Sequence, residues 1–180
     1  MIGDKLDEAQ QVVLAALKTA IQMEIEGKEY YLNISRETRN EAGQKLLAQL
    51  AKEEDVHRQV FQDIYDSISQ KNEWPETPSV ADGGQALRTI FGRAVGESQT
   101  GGKTDSAELE SVQKAIDMEN LTLDYYRQQA RDSVNPAARE FYLALAGQES
   151  EHARVLLDYY EYLSNPAAYF VNTEHSSMDG

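Results

Sequence analysis

The sequence predicts an all-α protein: a four-helix bundle made of two repeated helical hairpins joined by one long crossover. Three observations carry this. Helix formers dominate, and the four prolines (Pro75, Pro78, Pro136 and Pro166) fall where helices should begin or end. Apolar residues recur in steps of three and four, the period of one helix face. A shift of 95 residues lays positions 14–65 on 109–160 without a gap and gives 17 identities. Each half is therefore one copy of a hairpin.

The first hairpin is expected over 5–69. Asp4 or Asp7 could open its first helix, which should run to about Arg39. Asn40 is placed to cap a second helix reaching about Ser69. The second hairpin is expected over 105–164. Asp105 and Glu108 have capping-box spacing. Asn135 followed by Pro136 supplies a cap and a proline at the first helical position. Each hairpin closes through a short link, so its helices must be antiparallel neighbours. The crossover, 70–104, carries Trp74-Pro75, Asp82-Gly83-Gly84 and Gln99-Thr100-Gly101-Gly102, with room for a short helix over Gln85–Val95 outside the bundle or in a partner contact. A loosely ordered tail is expected over 165–180, a single domain covering the whole of 1–180.

Composition narrows the function. The 17 Lys plus Arg face 31 Asp plus Glu, a net charge of −14, which argues against nucleic acid and anionic membrane as partners. There is no cysteine, which excludes disulfides, zinc ribbons, iron–sulfur clusters and thiol chemistry. No apolar run approaches the ~20 residues of a membrane span. Met1–Gln10 lacks a basic-then-apolar leader pattern, so the expected compartment is the cytoplasm.

The apolar stripes carry the chemistry. The first helix reads Leu14, Leu17, Ile21, Glu24, Gly27, Tyr31, and the third reads Val112, Ala115, Ile116, Glu119, Leu123, Tyr126. The second runs Leu47, Leu50, Glu54, His57, Phe61, and the fourth Tyr142, Leu145, Glu149, His152, Leu156. Four carboxylates and two imidazoles thus point into one core. Unpaired, such charges cost several kcal/mol each, and Lys28 is the only clear basic partner. Two divalent cations would neutralise the four carboxylates. Each Glu-x-x-His pair offers one metal an oxygen and a nitrogen, with Glu54 and His57 on one metal, Glu149 and His152 on the other. Glu24 and Glu119 are left to bridge or terminate. This is the ligand pattern of di-iron carboxylate bundles. Oxygen and imidazole donors without thiolate suit iron or manganese, and zinc less specifically. A lone Glu-x-x-His carries little weight, but its duplication at one offset carries much. Only three histidines exist, and two of them occupy equivalent positions; His175 lies in the polar tail. Tyr31 and Tyr126 each lie two turns after a ligand Glu, placed either to hydrogen-bond ligand carboxylates or simply to pack. Tyr30, Tyr65, Tyr125 and Tyr160 are read as packing, and Asp158–Tyr162 as an interface or a bundle end.

These residues resemble the rubrerythrin-like branch of the ferritin-like superfamily. The likeness lies in Ala20-Ile21-Gln22-Met23-Glu24 with Tyr30-Tyr31, in Leu50-Ala51-Lys52-Glu53-Glu54-Asp55-Val56-His57, and in their copies in the second half. It covers about residues 10–165. It implies a ferritin-like bundle with a non-haem centre of two iron ions, reacting with peroxide or dioxygen, in a homodimer or larger homo-oligomer. Full-length rubrerythrins carry a cysteine-ligated iron site that feeds electrons to the centre. A chain without cysteine would need an external electron-donor protein. Rubrerythrins also place an extra Glu where this chain has Thr122, whose mate is Gly27. The remaining four-Glu, two-His set is closer to the ferroxidase centre of bacterioferritin. Three functions follow: an oxidoreductase that reduces peroxide or dioxygen, an iron-binding ferroxidase for storage or delivery, or a redox-silent metal-binding module.

Overall fold

A computed structural model describes residues 8–71, 73–75, 84–97, 106–166 and 169. Five helices follow in order: α1 (Glu8–Glu37), α2 (Glu41–Lys71), α3 (Gly84–Glu97), α4 (Ser106–Asp132) and α5 (Pro136–Ser164). The long helices pair α1 with α2 and α4 with α5; α1 also borders α4, and α2 borders α5. This is a ferritin-like bundle of two hairpins, the fold class the repeat predicts. The candidate caps Asp4, Asp7 and Asp105, and the tail beyond Tyr169, lie outside the described residues.

The hairpin turns are built alike. Asn40 Oδ1 accepts from the Gly43 backbone N–H at 3.0 Å. Asn135, the equivalent residue, accepts from Ala137 and Ala138 at 2.9 and 3.3 Å. Each satisfies donors that the first helical turn leaves without intrahelical partners. Matched hydrogen bonds also tie α1 to α4. Tyr30 donates to the Ser111 carbonyl at 3.0 Å and its equivalent Tyr125 to the Ala16 carbonyl at 2.9 Å. These two tyrosines are therefore packing residues whose hydroxyls fasten one hairpin to the other.

Two apolar clusters fill the interior. One gathers Leu46, Leu47 and Leu50 with Val112, Val155 and Tyr159. The other gathers Leu14, Leu17, Phe61 and Ile64 with Tyr126, Phe141 and Leu145. Along every long helix, the candidate ligands fall between these clusters. They form one polar layer across the middle of the bundle.

The helix α3 lies outside the four-helix bundle, against α2 and α5. Its Leu87, Phe91, Ala94 and Val95 are buried. Phe91 meets Tyr159, Tyr162 and Tyr169 edge-on at ring-centroid separations of 5.7, 6.2 and 6.4 Å. Tyr159 and Tyr162 are thus core residues at the bundle end beneath α3 rather than an open surface.

Tyr159 also fixes a glycine. A Cβ built on Gly43 would lie 1.9 Å from the Tyr159 hydroxyl and 2.3 Å from Cζ. The ring cannot readily step aside, because it is fully buried and donates to Glu108 Oε1 at 2.6 Å. The equivalent positions hold Ala138 and Ile64. Gly43→Ala should therefore cost about 1–3 kcal/mol through overpacking. Adding Tyr159→Ile, the pairing the other half uses, should recover part of that loss. Denaturant midpoints of the single and double variants check this; a wild-type midpoint for Gly43→Ala would refute the interlock.

Candidate metal centre

Glu24 and Glu119 project from the middles of α1 and α4, and the two Glu-x-x-His pairs from α2 and α5. All six are buried. They form two overlapping groups, each with potential ligand atoms within 4.8 Å of one another. One comprises Glu24, Glu54, His57 and Glu149, the other Glu54, Glu119, Glu149 and His152. Glu54 and Glu149 belong to both. Glu24 and His57 belong only to the first, and Glu119 and His152 only to the second, which makes Glu24 and Glu119 the end carboxylates of the layer.

The imidazoles show how this arises. They stack nearly parallel, 5.6 Å apart, each with Nδ1 turned inward. His57 Nδ1 lies 3.4, 3.8 and 3.3 Å from Glu24, Glu54 and Glu149. His152 Nδ1 lies 3.2, 3.6 and 3.2 Å from Glu54, Glu119 and Glu149. Each end carboxylate faces one imidazole, and each shared carboxylate faces both. Lys28 does not enter this layer; it pairs with Asp55 at 2.8 Å near the surface.

The electrostatics follow from that geometry. Burial pulls both imidazoles down, but the carboxylates beside them outweigh it: Glu149 and Glu24 for His57, Glu119 and Glu149 for His152. Both therefore stand well above the usual imidazole value. Burial pushes Glu24 and Glu119 up, and the neighbouring Glu54 and Glu149 charges push them further. Burial pushes Glu54 and Glu149 up as well, but a hydrogen bond with Glu24 and then contacts with both imidazoles hold Glu54 well below its usual range, and the imidazoles bring Glu149 to about 2. Without metal the layer favours positive imidazoles beside Glu54 and Glu149, and protons on Glu24 and Glu119. The histidines thus supply neutralising charge that a search for lysine and arginine overlooks.

The tyrosines reach across the bundle. Tyr31 donates to Glu119 Oε1, and Tyr126 to Glu24 Oε1. Both phenols are held well above their usual range, first by burial and then by the carboxylates they face, so they remain donors. Two further residues had no separate place in the sequence reading. Glu53 Oε2 meets His152 Nε2 at 3.1 Å, and Gln148 Oε1 meets His57 Nε2. Both directly precede a ligand-position Glu in the repeated motif, a matched placement that could have singled them out. By accepting from Nε2–H they leave Nδ1 free to bind an inward cation.

The layer fits metal. Glu24 Oε2, both Glu149 oxygens and both imidazole Nδ1 atoms are buried without an aligned hydrogen-bond partner. Buried polar atoms in this state are rare unless another group satisfies them. All five belong to residues whose potential oxygen and nitrogen ligand atoms lie within 4.8 Å of one another.

A ferritin-like bundle with two such groups sharing two carboxylates defines a class, the proteins built around a buried pair of metal positions. Residues 15–86, which span most of the first hairpin and the start of α3, match the family model for rubrerythrin. No curated protein and no solved structure matches the chain. The second hairpin lies beyond the matched segment, yet it repeats every ligand position of the first. None of the described helices is long and apolar enough to cross a membrane.

Proposed function

We propose that the protein is a non-haem di-iron oxidoreductase that reduces peroxide or dioxygen with electrons from an external donor. The observation that carries this is the pair of overlapping groups sharing Glu54 and Glu149, with unsatisfied donor atoms turned inward. The rubrerythrin match over 15–86 supports the same reading. Glu24 and His57 would complete one position and Glu119 and His152 the other, with manganese or zinc as competing occupants. When bound, two ferrous ions would each supply one electron, enough with two protons to take hydrogen peroxide to two waters. The chain's own part is to hold and shield. Tyr31 and Tyr126 keep a proton on the phenol oxygen and fix the end carboxylates. Glu53 and Gln148 fix the imidazole rings. The flanking apolar clusters keep bulk water from the layer.

With no cysteine, the chain offers no thiolate-held relay to restore ferrous iron. Iron-loaded protein mixed with peroxide should undergo one two-electron oxidation per metal pair and then stop until a reductase system is added. Stopped-flow absorbance with a peroxide assay checks this. Sustained peroxide consumption with NADH and no other protein would contradict the external donor, and no oxidation at all would reject the redox reading.

Ferroxidase activity for iron storage or delivery is the second reading. Thr122 stands where rubrerythrins place their extra Glu, and its hydroxyl donates to the Met118 carbonyl at 3.2 Å instead of entering the metal layer. Net accumulation of many irons per chain would favour this reading.

A further inference from the structure

The two imidazoles are supported by unlike groups. Glu53 and Gln148 occupy the same position in the two hairpins, and each reaches the imidazole of the other hairpin. His152 therefore donates to a carboxylate and His57 to a neutral amide. Both acceptors fix ring orientation. Only the carboxylate also adds negative charge and strengthens the ring as a metal donor. The Glu53 side chain is 14% exposed, so water screens that charge only in part.

The tyrosine contacts to the layer are balanced. Tyr31 and Tyr126 hold one end carboxylate each. Glu54 and Glu149 serve both positions. Gly27 differs from its counterpart Thr122, but a Cβ there would approach Glu54, 3.6 Å away. Because Glu54 is shared, that difference favours neither position.

We propose that Glu53 makes the two metal positions unequal, so that the one built on Glu119 and His152 fills before the one built on Glu24 and His57. This rests on the two-metal reading above. Glu53 acts as a positioning residue: it touches the imidazole ring and acts on the cation only through it.

The test uses full-length protein crystallised with one equivalent of cobalt(II), with anomalous scattering measured at each position. Wild type should show roughly threefold higher occupancy at the Glu119–His152 position, the ratio that a tenfold difference in affinity gives when one equivalent is shared between two positions. Glu53→Gln should level the two. The exchange variant, Glu53→Gln with Gln148→Glu, should reverse the preference. A cobalt competition titration in solution should show the tighter step weakened about tenfold by Glu53→Gln, a readout that holds even if the exchange variant fails to fold. Equal occupancy in wild type overturns the proposal, as does a preference that survives Glu53→Gln or the exchange. No bound cobalt at either position would overturn the two-metal reading itself, a result distinct from two equally filled positions.

Discussion

His57→Ala should lower metal affinity at the Glu24 position by more than about 100-fold, because losing a direct donor should exceed the 10–100-fold usual for a supporting group. Metal content by elemental analysis should fall toward one ion per chain. The metal-free protein should suffer too. His57 faces three carboxylates within 3.8 Å, and burial leaves no water to replace it. Removing one partner of a buried charged set typically costs about 3–5 kcal/mol. A Glu26→Gln control should change neither quantity, because Glu26 is exposed and accepts a hydrogen bond from Gln22 one turn earlier, away from the layer. Full metal content in His57→Ala would remove His57 from the ligand set.

Chelation should turn a protein of broad pH stability into one with a narrow optimum. The sign follows from the shifts. Glu54 and Glu149 lie below the ordinary 4.5, so their contribution is present above that pH and lost as pH falls through their folded values. Glu24 and Glu119 lie above 4.5, so theirs is complete below it and lost as pH rises through their folded values. The imidazoles lie above 6.5, so their contribution is complete below that pH and lost above it, through values well on the alkaline side. Metal-free protein should therefore be most stable near pH 4.5 and weaken toward alkaline pH, first through Glu24 and Glu119 and above 6.5 through the imidazoles as well. Bound cations should reverse the alkaline decline, since they take the place of the protons on His57, His152, Glu24 and Glu119. Loading two divalent ions should release up to four protons, from His57, His152, Glu24 and Glu119. Denaturant melts across pH, with and without chelator, and proton release in a weakly buffered titration check both parts. Glu24→Gln with Glu119→Gln should flatten part of the alkaline decline while weakening metal binding. Full metal content with lower metal-free stability in that double variant would show that these carboxylates are not ligands.

Much of this could be read from residue spacing. The repeat indicated two hairpins, and an acidic residue interrupting each apolar stripe indicated the polar layer. Asn40 and Asn135 could be read as caps because capping depends on a few adjacent residues. What remained hidden depended on contacts between hairpins. Helical periodicity places Glu54 and Glu24 on inward faces, but not which of them belongs to both groups. That depends on how α2 and α5 bring their imidazoles into register. The site of α3 was hidden for a related reason. Leu87, Phe91, Ala94 and Val95 form an apolar stripe, but a stripe does not specify the groove that buries it. Tyr31 and Tyr126 could be associated with the layer by spacing, but their actual partners lie 88 and 102 residues away.

The four hydrogen bonds that reach the layer from surrounding side chains all run from one hairpin to the other. Tyr31 serves Glu119 and Tyr126 serves Glu24; Gln148 serves His57 and Glu53 serves His152. In a chain built as two copies of one hairpin, each half is thus the environment of the other. A substitution in one half is first felt by a ligand in the other, so the copies are free to diverge on their outward faces but must change in concert at these inner positions. Tyr159 against Gly43, where the sibling positions hold Ile64 and Ala138, carries the mark of such joint inheritance: bulk gained on one helix where a methyl is missing on another.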